Sequence, residues 1–393
     1  MSFLIGVLIF IVALLVSVMM HEAGHFLTAK AFGMKATQFF VGFGTTLWST
    51  KRGETEYGVK ALPLGGFVKI TGMTILDDVD PADEPRSFRA KPGWQRAIVL
   101  GAGSFMHFLI AFVLLFFLAV GVGIADQSGS TVGVLRCIPA SQQAGCVSGD
   151  PRSPAAVAGL KSGDKILAVA GQPVHNWNQI GNAIKDHKPG SAAPFTIERG
   201  NREITKQVTL GRVSWRDGSF LGVSPTVAYN HAGPIKGITY AGSQFGSIAS
   251  QSVTALGKIP KAIPYLFSKD RSQTPGGQVS SIYGAANITG DVVAANIGWQ
   301  QKISVVLLII IEVNIFVGIF NLLPLLPLDG GHLAIVLFER ARYWIARLFH
   351  RRDPGPVDIK RLIPVSVGVF ALIVAFGLLL IAADIINPLS ITG

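Results

Sequence analysis

Four long apolar runs divide the chain. Residues 3–20 are uncharged, and residues 97–125 hold His107 as their one ionisable group. Residues 303–328 are apolar apart from Ser304, Glu312, Asn314 and Asn321, and residues 362–383 are uncharged. Each run approaches or exceeds the roughly 20 residues that a helix needs to cross a bilayer core, so the pattern predicts four membrane-spanning helices. Between the first two, apolar and polar residues alternate from Tyr57 to Ile70 around a Pro63-Leu64-Gly65-Gly66 corner, which predicts a β-hairpin. Gly42-Phe43-Gly44 and Leu47-Trp48 just upstream read the same way. Residues 131–228 predict one β-rich soluble domain. Residues 234–273 carry apolar side chains at mixed helical spacing, broken by Pro260 and Pro264, as in a surface-lying amphipathic helix or an interdomain linker. Residues 274–302, polar and small, predict a loop. The organisation is then 1–125 with two spans and the hairpin, 126–230 as the soluble domain, 231–302 as the amphipathic or linker region, and 303–393 with the last two spans.

Composition agrees with that pattern. Of 393 residues 49% are apolar and 15% charged, where a soluble domain carries about 25% charged residues. Mean hydropathy is +0.47. These values exclude a simple soluble protein and a disordered one. The net charge of +11 reads as loop placement rather than nucleic-acid binding, because no compact basic-aromatic patch appears. Ten Lys and Arg fall in 30–96 and seven in 338–361, whereas the residues before the first span and after Asn387 carry none. The 17 in 126–302 say little, since long domains cross membranes regardless of charge. The two basic loops are therefore expected inside, and both termini and the soluble domain outside. The first span has no basic residue before it and ends in His21-Glu22-Ala23-Gly24-His25 rather than a small-residue cleavage site, so it reads as a span and not a cleaved signal. Cys137 and Cys146 lie in the outside region, where they form either a disulfide or two free thiols.

Candidate chemistry sits where the first span ends. His21 and His25 share a helix face with Glu22 beside them, an H-E-x-x-H arrangement in which two imidazoles reach one zinc and the carboxylate deprotonates a water. Ionisable groups at membrane depth are costly and usually functional. A catalytic zinc keeps three protein ligands and an open position. Glu54 and Glu56 lie in a polar, Gly-containing stretch and read as a solvated loop. Asp329 is the better third ligand. His21 lies about 27 Å along the first helix, and Asp329 ends a span running in the same direction, so both arrive at one depth. Around Asp329 the chain reads Asn321-Leu322-Leu323-Pro324-Leu325-Leu326-Pro327-Leu328-Asp329-Gly330-Gly331-His332. Two prolines break the helix, and broken helix at that depth is tolerated where it is buried in protein or lines a wet cavity. Asn321 is either a donor to a substrate carbonyl or a helix-packing amide. His332 reads as a supporting or helix-start residue, with a ligand role as the alternative. Glu312 and Asn314 read as packing or pairing groups, with a cavity role as the alternative.

These residues resemble the site-2 protease family of zinc intramembrane proteases. The likeness is closest to the bacterial, regulator-of-sigma-E-protease-like branch that cleaves anti-sigma factors in regulated intramembrane proteolysis. Its H-E-x-G-H and N-x-x-P…L-D-G-G patterns both occur here, in order. The resemblance implies zinc held by His21, His25 and Asp329, with Glu22 as base. It also implies a membrane-associated β-sheet whose edge pairs with unwound substrate, the family's PLGG stretch mapping to Pro63, Leu64, Gly65 and Gly66. Two departures are visible. The prolines stand three and six residues after Asn321 rather than three and five, and His107 stands where the family has asparagine; it reads as packing. Residues 153–174 resemble a bacterial PDZ domain in one copy, which would exclude untrimmed substrates or tether a peptide or C-terminus.

The whole reads as a polytopic α-helical membrane protein: four transmembrane helices, a membrane-associated β-hairpin or sheet, and one extracytoplasmic PDZ-like domain. Its expected place is the bacterial inner membrane. The expected function is zinc-dependent cleavage of single-pass membrane proteins such as anti-sigma factors after trimming outside, with the lipid bilayer and no nucleic acid as partner. The alternatives are a non-catalytic scaffold that recruits partners through its PDZ domain and a zinc transporter, for which the spans offer few further ligands.

Overall fold

The computed structural model describes residues 1–388 apart from 75–76, 127, 136, 139–145, 147–148, 215, 269–270, 272–278, 353–354, 356 and 358. The chain opens with helix α1 (Ser2–Ala31), strands β1 (Ala36–Arg52) and β2 (Thr55–Ile70), and helix α2 (Gly93–Phe117). Strands β3 (Ile124–Asp126) and β4 (Val132–Val134), helix α3 (Pro154–Val157), strands β5 (Lys165–Val169) and β6 (Gln172–Pro173) and helix α4 (Trp177–Lys185) follow. Next come β7 (Ala192–Arg199), β8 (Arg202–Thr209), β9 (Gly211–Val213), β10 (Arg216–Phe220), β11 (Val223–Pro225) and β12 (Ala228–Asn230). Helices α5 (Pro234–Ala262), α6 (Ile282–Ala294), α7 (Trp299–Asn321), α8 (Asp329–Leu348) and α9 (Ile363–Ile386) complete the chain. Contacts divide it into two compact units, Met1–Leu118 with the chain from Gly233 onward, and Ala119–Ala232.

Among the described residues, four helices are long and apolar enough to span a membrane: Ser2–Ala31, Gly93–Val122, Trp299–Asn321 and Ile363–Ile386. The first runs past the apolar stretch, so His21 and His25 lie within it, more than a turn from its end. The third stops at Asn321 rather than at 328, and Leu322–Leu328 is non-helical. The polar, small stretch expected as a loop holds α6, which packs on α1. Its small residues are what permit that approach: a Cβ on Gly290 would stand 2.6 Å from the Phe3 ring. Close helix pairs in membranes use such residues, so a composition that reads as loop in water is a packing surface here. Residues 274–278 lie outside the described residues. The basic stretch 338–361, expected as a loop, is helical as far as Leu348. Helix α5 passes through Pro260 in its last turn and lays Ala241, Phe245, Ile248 and Ala249 against α2 and α7, so it is a packed helix and not a linker.

Strands β1 and β2 bend, and each meets the other twice. Phe39 pairs with both Val68 and Tyr57, and Phe40 with both Phe67 and Gly58. Thr50 pairs with Tyr57 as well. The result is a ribbon of segments in the order 48–52, 56–59, 38–41 and 66–69. The tight hairpin turn is at Gly53-Glu54, and the Pro63–Gly66 stretch lies inside β2, at the bend between its two paired segments, with Gly65 at φ +141°. An apolar cluster of Ala29, Met34, Ile70, Leu100 and Val336 ties α1, β2, α2 and α8 together.

The second unit has a four-stranded sheet in the order β6-β5-β7-β8 over a core that includes Ile166, Ile180, Phe195 and Ile197. The short helix, strand and turn expected over 153–174 are α3, β5 and β6, and Ser153 caps α3 by accepting from the Ala156 N–H. Cys137 and Cys146 form a disulfide. Buried Asp164 accepts two hydrogen bonds from Arg199, both 2.7 Å, and one from the Lys161 N–H at 2.8 Å. Burial pushes its carboxyl up, but the Arg199 guanidinium and the Lys161 N–H together outweigh that and hold it below its ordinary value. This stabilisation is present above the unfolded carboxyl value of about 3.9 and is lost as the pH falls through the lower folded value. Asp164→Ala is expected to destabilise the unit by about 2–3 kcal/mol. Hydrogen exchange of 160–167 in the full chain should show that loss near neutrality and a weaker acid dependence below about pH 4.

Candidate metal centre

Helix α1 carries His21 and His25 one turn apart, both buried. The His25 Nδ1–H donates to the Val99 carbonyl at 2.7 Å. A carbonyl only accepts, so this bond fixes the tautomer and leaves the Nε2 lone pair free to point into the bundle. Asp329 arrives from the other end of the chain. Proline at 324 and 327 keeps 322–328 out of helix, and α8 then starts at Asp329, whose carboxylate sits on the electropositive first turn. The two glycines that follow let this turn fold back on the end of α7. A Cβ on Gly330 would stand 2.3 Å from the Leu322 carbonyl, and one on Gly331 2.6 Å from the Leu325 carbonyl carbon.

The outcome is a triangle of donor atoms. His21 Nε2 lies 3.2 Å from His25 Nε2 and 3.2 Å from Asp329 Oδ2, and His25 Nε2 lies 3.3 Å from Asp329 Oδ2. Zinc bonds of about 2.0–2.1 Å in a tetrahedron give ligand atoms about 3.3 Å apart, so the triangle has the size of one tetrahedral face. Three lone-pair atoms turned on one point in a largely buried site need a cation or a proton between them, and the two-nitrogen, one-oxygen set is chemically suited to zinc. Among the described residues these three alone form such a cluster. The Glu22 carboxylate accepts the Val68 N–H on Oε2 at 3.0 Å, which holds it beside the outer segment of the β-ribbon.

The other sequence candidates fall outside the triangle. His332 Nδ1 pairs with the Leu328 carbonyl at 3.3 Å, the helix-start role. Glu54 accepts from Arg86 and Lys30, and these two cations hold its carboxyl down to about 2. It belongs to an ion-pair cluster rather than to the site. Asn321 closes α7, and no hydrogen bond joins it to the triangle among the described residues. Gly66 is buried on α1, where a Cβ would stand 2.4 Å from Met19 Sδ; Gly65 is half-buried beside Phe43, and Pro63 is exposed. Asn314 is a pairing group, donating to Ser17 Oγ at 3.1 Å and accepting from the His107 Nδ1–H at 2.9 Å. His107 thus packs, with its ring 5.1 Å from that of His21. Glu312 lies on the exposed side of α7 and has no hydrogen-bond or ion-pair partner among the described residues.

One residue escaped the sequence reading. Gly103 on α2 lies against both imidazoles, and a Cβ there would stand 2.4 Å from His21 Cε1 and 2.5 Å from His25 Nε2. Nothing in the local pattern distinguishes it from the other glycines of that span, because the requirement comes from α1.

The model of peptidase family M50 matches residues 9–349. A Mycobacterium tuberculosis protein, zinc metalloprotease Rip1, is 33% identical over 413 residues, which cover 99% of each chain. Rip1 of Mycolicibacterium smegmatis is 35% identical over 419 residues and the full length of both. A putative zinc metalloprotease of Fusobacterium nucleatum is 32% identical over 340 residues, 86% of this chain and 88% of its own. A family match of that length, joined to relatives of the same extent, means that the chain belongs to peptidase family M50, the site-2 proteases, and is a zinc metalloprotease.

Proposed function

We propose that His21, His25 and Asp329 hold the catalytic zinc, that Glu22 is the general base, and that the enzyme cuts single-pass membrane proteins, anti-sigma factors among them, after trimming outside. The observation that carries the reading is the 3.2–3.3 Å donor triangle. Zinc, when bound, supplies a Lewis acid that polarises the scissile carbonyl and draws the pKa of water toward neutrality. His25, locked by Val99, and Asp329, fixed by the first turn of α8, keep their donor atoms aimed. Glu22 is held through Oε2 by the Val68 N–H, which leaves Oε1 to take the proton from the attacking water and return it to the leaving amine. Asn321, at the start of the broken segment, would donate to the substrate carbonyl. Pro63, Gly65 and Gly66 would shape the ribbon on which substrate is extended, since a helical peptide bond is shielded until its backbone opens. The soluble unit is read as a PDZ-like domain outside the bacterial inner membrane, with both termini on the same side and the basic loops inside. A scaffold would leave His21, Glu22, His25 and Asp329 without a reason to converge.

Glu22→Gln is expected to keep stoichiometric zinc and to lose cleavage of a purified single-pass substrate by about 10²–10⁴-fold, whereas Asp329→Ala loses the zinc as well. Full cleavage by the Gln variant in zinc-controlled assays would sink the mechanism. Gly103→Ala, which pushes a methyl group between the imidazoles, should lower zinc content measured by elemental analysis while the variant still folds and purifies. Val68→Pro removes one outward N–H, a change that an edge segment tolerates; kcat should fall about tenfold with zinc retained. An unchanged kcat would mean that Val68 does not position the base.

A further inference from the structure

The second half of α8 carries chemistry that the metal centre does not use. Leu337, Phe338, Trp344, Ile345 and Leu348 are all more than half exposed, from 53% to 73%. With 3.6 residues per turn they fall, together with Ala341, in one arc of about 120°. Arginines border the arc on both sides, Arg340 and Arg347 on one flank and Arg342 on the other. The Arg340 guanidinium lies 5.3 Å from the Trp344 ring and that of Arg347 5.8 Å from it, while Arg342 lies 5.7 Å from the Phe338 ring. The opposite face is the one that docks. Val336 is buried there, and Glu339 accepts from Arg96 of α2 at 2.9 Å and from the Val357 N–H at 3.0 Å. That glutamate is the one acid between 337 and 352, so the helix itself places no acidic side chain on the exposed arc. Arg351 and Arg352 extend the positive charge just past the helix.

We propose that this half of α8 is an interfacial helix that seats its apolar arc among the acyl chains and its arginines on the phosphates of anionic phospholipids, at the bilayer face where α7 ends. Three features of the helix support this placement. The charges exclude a fifth span. An apolar arc flanked by Arg, with an aromatic ring between the guanidinium groups, is the arrangement that long cationic side chains adopt at a headgroup layer. The helix also lies in sequence between α7 and α9, two spans that hold it at a membrane face. A protein partner would have to match a ridge of five arginines around a hydrophobic strip, whereas an anionic leaflet supplies both halves at once. The inference depends on the membrane reading of the spans and not on the roles proposed for the metal ligands.

The test places a nitroxide at Ile345→Cys in the full chain; the two native cysteines are bonded to each other. The protein is reconstituted in nanodiscs of phosphatidylcholine with or without phosphatidylglycerol, and power saturation compares oxygen with a water-soluble nickel chelate. In phosphatidylglycerol discs the label should be several-fold more accessible to oxygen than to nickel. That ratio should fall toward the aqueous value in pure phosphatidylcholine and in the R340Q/R347Q double variant. A nickel-accessible label in phosphatidylglycerol discs overturns the proposal. So does a depth indifferent to lipid charge and to the double variant, or dipolar broadening that shows a second copy on the face. Leu348→Cys repeats the measurement should the first position perturb folding, and a label there must give the same order.

Discussion

Three lone-pair atoms, two imidazole nitrogens and one carboxylate oxygen, face one another at 3.2–3.3 Å inside a bundle built largely of apolar side chains. Such an arrangement is repulsive unless a cation or proton sits among the donors, and most of what is unusual in the surrounding structure serves to keep them there. Gly103 removes the Cβ that would enter the triangle, and Gly330 and Gly331 let the first turn of α8 close on the end of α7. The Val99 carbonyl fixes one imidazole. The Arg96–Glu339 pair between α2 and α8 fixes the helix that carries Asp329.

The same site couples to the β-ribbon. Glu22 is next to a metal-ligand candidate on α1, yet its partner is a backbone N–H of β2. The ribbon's outer segment is packed against α1 through Gly66 and Met19. The Glu22 carboxylate and this segment of the ribbon are therefore held side by side. The His107–Asn314–Ser17 chain on the other side ties α2, α7 and α1 in a way that needs no metal, and it explains how a histidine can stand beside the site without joining it.

Much of this was legible in the sequence because the signals were local. The four spans are long apolar runs, H-E-x-x-H puts two imidazoles one helical turn apart, and the prolines before Asp329 mark where a helix must stop. What stayed hidden depends on neighbours. The small residues of 282–294 read as loop in water but form the face that α6 turns to α1. Gly103 is meaningful only once α1 lies against it. The helix beyond Asp329 was concealed by its charge, because a basic stretch after a span reads as a loop until its apolar positions are placed on one face. Pairing likewise had to await the fold: Asn314 found partners on two other helices, whereas Glu312 found none among the described residues.

X-ray absorption at the zinc edge of the purified, zinc-loaded protein tests the proposed ligand set most directly. Nitrogen and oxygen neighbours at about 2.0–2.1 Å are expected, with multiple scattering from two imidazoles and no sulfur. A shell with three imidazoles, which would place His107 or His332 where Asp329 is expected, or a shell with none, would contradict it.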